Sequence, residues 1–394
     1  MKATPTIKDV AQRAGVSPST VSRVIADHPR ISAATKERVR AAMAELNYHP
    51  NAVARSLVRR RTYTIGVALS RSAEAALANP FFPEVLRGVG AVARQARYFL
   101  TLTTATSYED EREQCIELLT QRRVDGLILL ASRTDDALVD WLAQHSYPFV
   151  VLGRVPGRDV PQVNNDNVAA ARAATEHLLA LGHRQIAFIG GPPDFVVSVD
   201  RLAGYREALE GAGLRFQDDL VVHTDFSYEQ AYVAARSLLV GPAVRPTAVV
   251  AIDDSVALGV LAAARELGLR VPEDLSVVGF NDSPVCAHVA PPLTSVAIPI
   301  FELGAAAARM LCDALDGVEG PRKILLPSRL VVRGSTGPAP ATGKGAMPAT
   351  RAVEVVRAEV VRTFGGGYAG GKVPESTQAA GHLHEGAMEQ EGRR

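Results

Sequence analysis

The chain has 394 residues, 47% of them hydrophobic and 22% charged, which fits a globular protein of more than one domain and excludes a fibrous or wholly disordered one. Its formal charge of +1 hides an imbalance: residues 1–62 hold 12 Lys and Arg against 4 Asp and Glu, a local +8, so the remainder carries −7. A basic head on a mildly acidic body points to a polyanion as partner of the head. The opening MKATPTIKDV has no apolar run, and no stretch approaches the ~20 apolar residues of a membrane span. A secretory signal and a membrane partner are therefore not expected, and a cytoplasmic location is. Cys115, Cys286 and Cys312 are odd in number and widely spaced, which implies neither a metal site nor a disulfide framework.

In chain order, the head comes first. Thr6 with Asp9 three positions on has the form of a capping box, and Val10, Ala11 and Ala14 follow at helical spacing. Gly15 ends that helix as a left-handed cap. Ser17 is placed as the next N-cap with Pro18 at the first helical position, and Val21, Val24 and Ile25 give the second helix an inward face. Two helices joined by a tight Gly-containing turn form a helix-turn-helix, whose second helix enters the major groove of DNA. Ser19, Thr20, Ser22 and Arg23 face outward: short hydroxyls bond phosphates or base edges, and a guanidinium takes guanine O6 and N7 together. A third helix follows, with Ser32 as cap and Val39, Met43 and Leu46 on its buried side. After Pro50, the segment Asn51-Ala-Val-Ala-Arg-Ser-Leu-Val58 reads as a helix of two turns capped by Asn51, too short to stand alone in water. Leu57 on this basic segment has no core to enter, and a wedge into the minor groove is one use for it.

TIKDVAQRAGVSPSTVSRV followed by NAVARSL resembles the DNA-binding head and hinge helix of the lactose-repressor (LacI) family of bacterial transcription regulators. The resemblance implies that Pro18, Ser19 and Arg23 occupy base-reading positions and Leu57 the minor-groove position. Thr20 and Ser22 are then phosphate contacts, and Thr6, Ser17, Asn51, Ala54 and Arg55 complete the DNA-facing set.

From Tyr63, short apolar runs (YTIGVAL, YFLTLTT, VDGLILLA, FVVLG, QIAFIGG, AVVAID, LSVVGF) alternate with helical segments, the pattern of βαβ units with parallel sheets covered on both faces. So long a stretch exceeds one sheet and implies two similar lobes with a ligand crevice at the carboxyl ends of the strands. To about residue 335 the chain resembles the effector domain of the same family, akin to periplasmic sugar-binding proteins, in which the chain crosses between lobes three times. The expected organisation is an all-α head at 1–49, a hinge at 50–61 and an α/β two-lobe domain at 62–335. Its first lobe is expected at 62–162 plus 292–323, its second at 163–291 plus 324–335, and a low-complexity, disordered tail at 336–394.

Strand ends supply the expected effector contacts Phe81 and Phe82 for stacking, Arg154, Asp166, Arg201, Asp253 and Asp282, and the resemblance implies Phe226 as an aromatic wall. Arg201, Asp282, Phe81 and Phe82 match family ligand-contact positions. Asp254 is expected to cap the next helix, and His183 to end a helix favourably beside its dipole. Ile298 stands where many sugar-responsive members carry glutamine. Gly366 to Lys372 has the skeleton of a P-loop, but Val373 stands where Ser or Thr would bind magnesium and no strand precedes it. No nucleophile with a base is found, so neither catalysis nor a cofactor or metal is expected. The expectation is a dimeric, sequence-specific DNA-binding repressor, reading a near-palindromic operator under control of a small molecule, a sugar or sugar derivative. A nucleobase or nucleoside effector, or a co-repressor, is the alternative. A transport solute-binding protein or a carbohydrate-active enzyme is the disfavoured class.

Overall fold

The computed structural model describes residues 5–48, 61–70, 72–240 and 245–340. Asn51, Ala54, Arg55 and Leu57, the P-loop skeleton and most of the expected tail lie outside these residues. The head is three helices: α1 (Ile7–Ala14), α2 (Pro18–Ile25) and α3 (Ala33–Glu45). They close on a small core of Val10, Ala11, Val21, Val24, Val39 and Ala42, with Ile25, Met43 and Leu46 half-buried around it. Gly15 does take the left-handed conformation, at φ 63°.

The body begins with β1 (Thr64–Ala68), α4 (Ala73–Ala78), α5 (Phe81–Gln95), β2 (Phe99–Leu102), α6 (Tyr108–Thr120) and β3 (Gly126–Leu129). It continues through α7 (Ala137–Gln144), β4 (Phe149–Leu152), β5 (Gln162–Asn165), α8 (Asn167–Ala180), β6 (Ile186–Gly190), α9 (Val196–Gly211) and β7 (Val221–His223). It ends with α10 (Tyr228–Val240), β8 (Ala248–Ala251), α11 (Asp254–Glu266), β9 (Ser276–Asn281), β10 (Thr294–Ala297), α12 (Ile300–Leu315), β11 (Lys323–Leu326) and β12 (Arg329–Val331). Two six-stranded sheets result, ordered β11-β5-β4-β3-β1-β2 and β12-β10-β9-β8-β6-β7. Every neighbour pair is parallel except β10 with β12. Strands β3, β4, β6 and β8 are buried along their whole length, which is why they read as unbroken apolar runs.

The chain passes between the two sheets three times, but each crossing comes a few residues later than the sequence suggested. β5 still belongs to the first sheet, β10 to the second and β11 to the first, so the crossings fall near residues 166, 298 and 327. The physical reason is common to all three. Each segment first pairs along a sheet it is about to leave, satisfying backbone groups there, and only then crosses.

Helix α12 returns to the first lobe and lies against α5 at backbone distance. A Cβ on Gly88 would come within 2.1 Å of the Phe301 carbonyl oxygen, and one on Gly304 within 2.3 Å of the Val85 carbonyl oxygen. The start of the body is tied to the same lobe. The Asp125 carboxylate accepts from the Thr62 and Tyr63 N–H groups and the Thr62 hydroxyl, and Arg61 pairs with Asp316 at 2.7 Å.

Order also extends past Ser335, contrary to expectation. The buried His183 ring bonds Thr247 Oγ1 (2.9 Å), Ser276 Oγ (3.0 Å) and the Gly337 carbonyl (3.1 Å). Burial lowers its pKa, so His183 is a neutral core histidine that fastens the segment at 337 rather than a helix-dipole partner. His177 bonds Thr336 Oγ1 at 3.0 Å, and the Ala339 N–H donates to Leu181 O.

Candidate functional site

The first site is the exposed face of α2. Ser17 accepts from the Thr20 N–H at 3.2 Å, and Pro18 follows where no N–H is needed. Ser17 Oγ also lies 2.8 Å from Ser19 Oγ and 2.9 Å from Thr20 Oγ1, so the helix start is a cluster of hydroxyls. Ser17, Pro18, Ser19 and Arg23 are exposed, while Thr20 and Ser22 are half-buried. Thr6 is exposed at the start of α1, where its N–H and hydroxyl both donate to Asp9, whose carboxyl is held below its usual range by those bonds. The result is a short helix presenting hydroxyls at its positive end and a guanidinium one turn further on.

The second site is a cleft between the lobes enclosing about 780 Å³, open mouth included. Phe81, Phe82, Arg154, Arg201, Phe226 and Asp253 all line it. Phe226, at φ 67°, stands edge-on to Phe195 with ring centroids 5.8 Å apart. The pair fits only because position 191 is glycine: a Cβ there would lie 2.4 Å from the Phe226 ring.

Arg201 is the centre of the cleft's polar floor. It is buried, donates through Nε to Asn167 Oδ1 at 3.0 Å and through Nη1 to the Ile252 carbonyl, and stacks 4.3 Å from the Phe280 ring centroid. Burial lowers its pKa to about 10, while the carboxylates of Asp253, Asp254 and Asp200 oppose that shift. Asn167 is itself fixed by Asn164 and Asn165 at 3.2 Å each.

Two expected contacts are placed elsewhere. Asp282 pairs with Arg333 at 2.6 Å, and its N–H donates to Ser295; the preceding Asn281 lines the cleft instead. Both residues have positive φ, 105° and 51°, so the turn re-aims two successive side chains in a way strand alternation does not foretell. Asp166 is exposed and serves as the cap of α8, accepting from the Ala169 N–H at 2.9 Å; Asn164, Asn165 and Asn167 around it face the cleft. The two roles at 253 and 254 also differ from expectation. Asp253 both caps α11, accepting from Val256 N–H at 2.8 Å, and faces the cleft. Asp254 is buried, takes bonds from Ser283 N–H, Ser283 Oγ and Ser295 Oγ, and is pushed by burial up to about 6. Ile298 is buried and does not line the cleft.

Across the cleft the lobes are joined directly. Asn79 Nδ2 donates to Asp253 Oδ2 at 2.8 Å, and Arg154 pairs with Asp200 through both ends of its guanidinium. Beside them, Arg133 and Phe195 form an antiparallel bridge, with Thr134 N–H donating to Asp194 O (2.9 Å) and Val196 N–H to Ser132 O (3.1 Å). Arg133 pairs with Asp194 and packs 4.7 Å from the Tyr108 ring centroid and 4.4 Å from that of Phe195. Asp200, Asn281 and Phe195 are cleft residues that the sequence reading does not name. Among the described residues no group of His, Cys, Asp and Glu could hold a metal ion, and no helix is long and apolar enough to cross a membrane.

A three-helix head with an exposed second helix, followed by a two-lobed α/β body with an interlobe cleft, is the architecture of a ligand-responsive transcription regulator. Residues 6–51 match the family described as bacterial regulatory proteins, lacI family, and residues 175–336 a periplasmic binding protein-like domain. The chain belongs to the LacI family. It is 41% identical to the HTH-type transcriptional regulator CelR of Thermobifida fusca over 335 residues, 84% of this chain and 98% of that protein. It is 34% identical to the repressor CytR of Escherichia coli (strain K12), over 84% of this chain and 96% of CytR. Among solved structures, a CelR–cellobiose complex matches with a TM-score of 0.66 and 40% identity, covering 84% of this chain and 99% of that one. The lac repressor dimer bound to operator and the anti-inducer ONPF matches with a TM-score of 0.75 and 33% identity, over the same shares.

Proposed function

We propose that this regulator is a dimeric repressor of a near-palindromic operator, released or retained according to a neutral sugar bound between its lobes. The observation that carries the sugar reading is the makeup of the cleft. Aromatic faces of Phe81, Phe195 and Phe226 surround a floor of Arg201, Asn167, Asp253 and Asn281, which offers both donors and acceptors to a polyhydroxylated ring. The cellobiose complex of a relative 40% identical supports a disaccharide as the first candidate.

On this reading Arg23 and Ser19 read base edges, with Pro18 offering an apolar ring, and Thr20 and Ser22 hold phosphates. The segment at 50–61 acts as the hinge, with Leu57 as its wedge into the minor groove. Its distal end enters the first lobe through Arg61–Asp316 and Asp125, so a change in how the lobes close is passed to the hinge through a fixed point. Ligand and operator are then coupled reciprocally.

The test is a thermal-shift and calorimetric screen of the full chain against cellobiose, other disaccharides and nucleosides, with DNA sites selected from a random pool. A disaccharide that raises the melting temperature and alters affinity for a selected palindrome supports the reading. A nucleoside doing so in its place overturns the sugar assignment.

A further inference from the structure

We propose that Asp200 makes this cleft select uncharged ligands over phosphorylated ones, by neutralising the one half-exposed guanidinium in it. The inference rests on the cleft being the effector site, and it concerns the charge that site accepts.

The charged side chains lining the cleft are two cations, Arg154 and Arg201, and two anions, Asp200 and Asp253. They sum to zero, and no lysine or histidine is among the lining residues. Arg201 is buried and already committed to Asn167, the Ile252 carbonyl and the Phe280 face. Arg154 is different: 46% of its side chain is exposed, while that of Asp200 is 4% exposed. The pair is bidentate, with Nε donating to Oδ2 at 3.0 Å and Nη2 to Oδ1 at closer range. The hydrogen bond from Arg154 to Asp200 raises the pKa of the guanidinium, as a committed charge pair should. The strand-end loop of Arg154 is also fixed from the other side, because Ser132 Oγ donates to the Arg154 carbonyl at 2.6 Å. Arg154 is thus held in place by one lobe and electrically cancelled by the other.

A guanidinium has five N–H donors, and two point at Asp200. The rest serve hydroxyl oxygens of a neutral ligand without any charge imbalance. A phosphate brings between one and two negative charges. It would meet two carboxylates in a partly desolvated cleft with Arg154 already compensated by Asp200 and Arg201 already committed to its own partners, where like charges repel more strongly than in water. An Asp200→Asn change keeps the shape and one acceptor for Arg154 but removes the compensating charge. Arg154 then becomes an available phosphate-binding fork of the kind that favours bidentate anion recognition.

The experiment compares wild type, Asp200→Asn and Asp200→Asn/Arg154→Met as full chains, each checked for native circular dichroism. Calorimetry measures cellobiose against cellobiose 6′-phosphate, and thermal shift measures inorganic phosphate. Expected is a wild-type preference for the neutral sugar of at least about tenfold, narrowed at least about tenfold in Asp200→Asn. Inorganic phosphate should raise the melting temperature of Asp200→Asn, but not of wild type or the double variant. Wild type binding the phosphorylated sugar as well as the neutral one overturns the proposal. So does an Asp200→Asn protein that is folded yet gains nothing from phosphate. If no neutral sugar binds wild type, the sugar reading of the cleft fails, while the phosphate arm still decides the role of Asp200.

Discussion

The head and the cleft are built on opposite plans. In the head, each helix start is fixed by residues three apart: Thr6 with Asp9, Ser17 with Thr20, Ser32 with Thr35. The residues proposed to read base edges, Pro18, Ser19 and Arg23, sit on a single helix of eight residues. In the cleft, the contacts that matter join distant parts of the chain. Arg201 meets Asn167 across 34 positions, Arg154 meets Asp200 across 46, and Asn79 meets Asp253 across 174. A site of the first kind exists wherever its helix exists. One of the second kind exists only when distant parts of the chain have folded together, and its Arg154–Asp200 and Asn79–Asp253 contacts only when the two lobes meet, a dependence that lets a ligand act as a signal.

The comparison can be broken most sharply at Arg201. Arg201→Ala should abolish ligand binding, by more than about 100-fold, and lower stability by roughly 3 kcal/mol, because Asn167 and the Ile252 carbonyl lose their partner in a buried site. DNA binding by the head should persist; parallel calorimetry, denaturation and footprinting would show it. Loss of DNA binding by a folded Arg201→Ala protein would mean the two sites are not separable as described.

Glu111 gives a smaller, pH-dependent effect. It is buried beside Ser70, Tyr108, Arg133 and Asp136, accepts from the Ser70 N–H at 3.1 Å, and is pushed by burial up to about 7, against the opposing Ser70 hydrogen bond and Arg133 charge. A carboxyl whose folded pKa lies above its unfolded value makes the native state bind its proton more tightly. Stability from this group is therefore full below the unfolded value and is lost as pH rises toward 7. Glu111→Gln, neutral throughout, should match wild type near pH 4. It should be more stable at pH 8 by on the order of 3 kcal/mol, as denaturation at the two pH values would measure. An equal difference at both would rule out the titration.

In the head, Arg23→Ala should lose roughly 1–3 kcal/mol at one base position of the operator and leave ligand affinity unchanged. Equal loss on specific and random DNA would make Arg23 a phosphate contact. Smallest, Ser17→Ala should cost the head about 1 kcal/mol of stability through loss of the cap on Thr20 N–H, with no change in the melting of the body.

The same contrast governs what the sequence could tell. Caps and apolar spacing are local, so the helices of the head and the alternation of strands and helices in the body were legible residue by residue. The order of strands at sheet edges was not, since pairing of β11 with β5 joins Lys323 to Gln162 and leaves no local trace. At Asn281-Asp282, two polar residues in succession gave no sign of which would face the ligand, because two positive φ values decide it. In the run VNNDN the charged Asp166 is the cap of α8 while the asparagines beside it face the cleft, a division that the polarity of the run does not show. Asp200 was masked by its neighbour, since nothing near residue 200 announces a partner at Arg154.

Coupling between the locally built head and the assembled cleft is the central claim, and linkage tests it most directly. Operator affinity should be measured with and without saturating ligand, and ligand affinity with and without operator. The account predicts that each changes the other by the same factor, and that the factor differs from one. A factor of one in both directions, with both ligands bound, would contradict it.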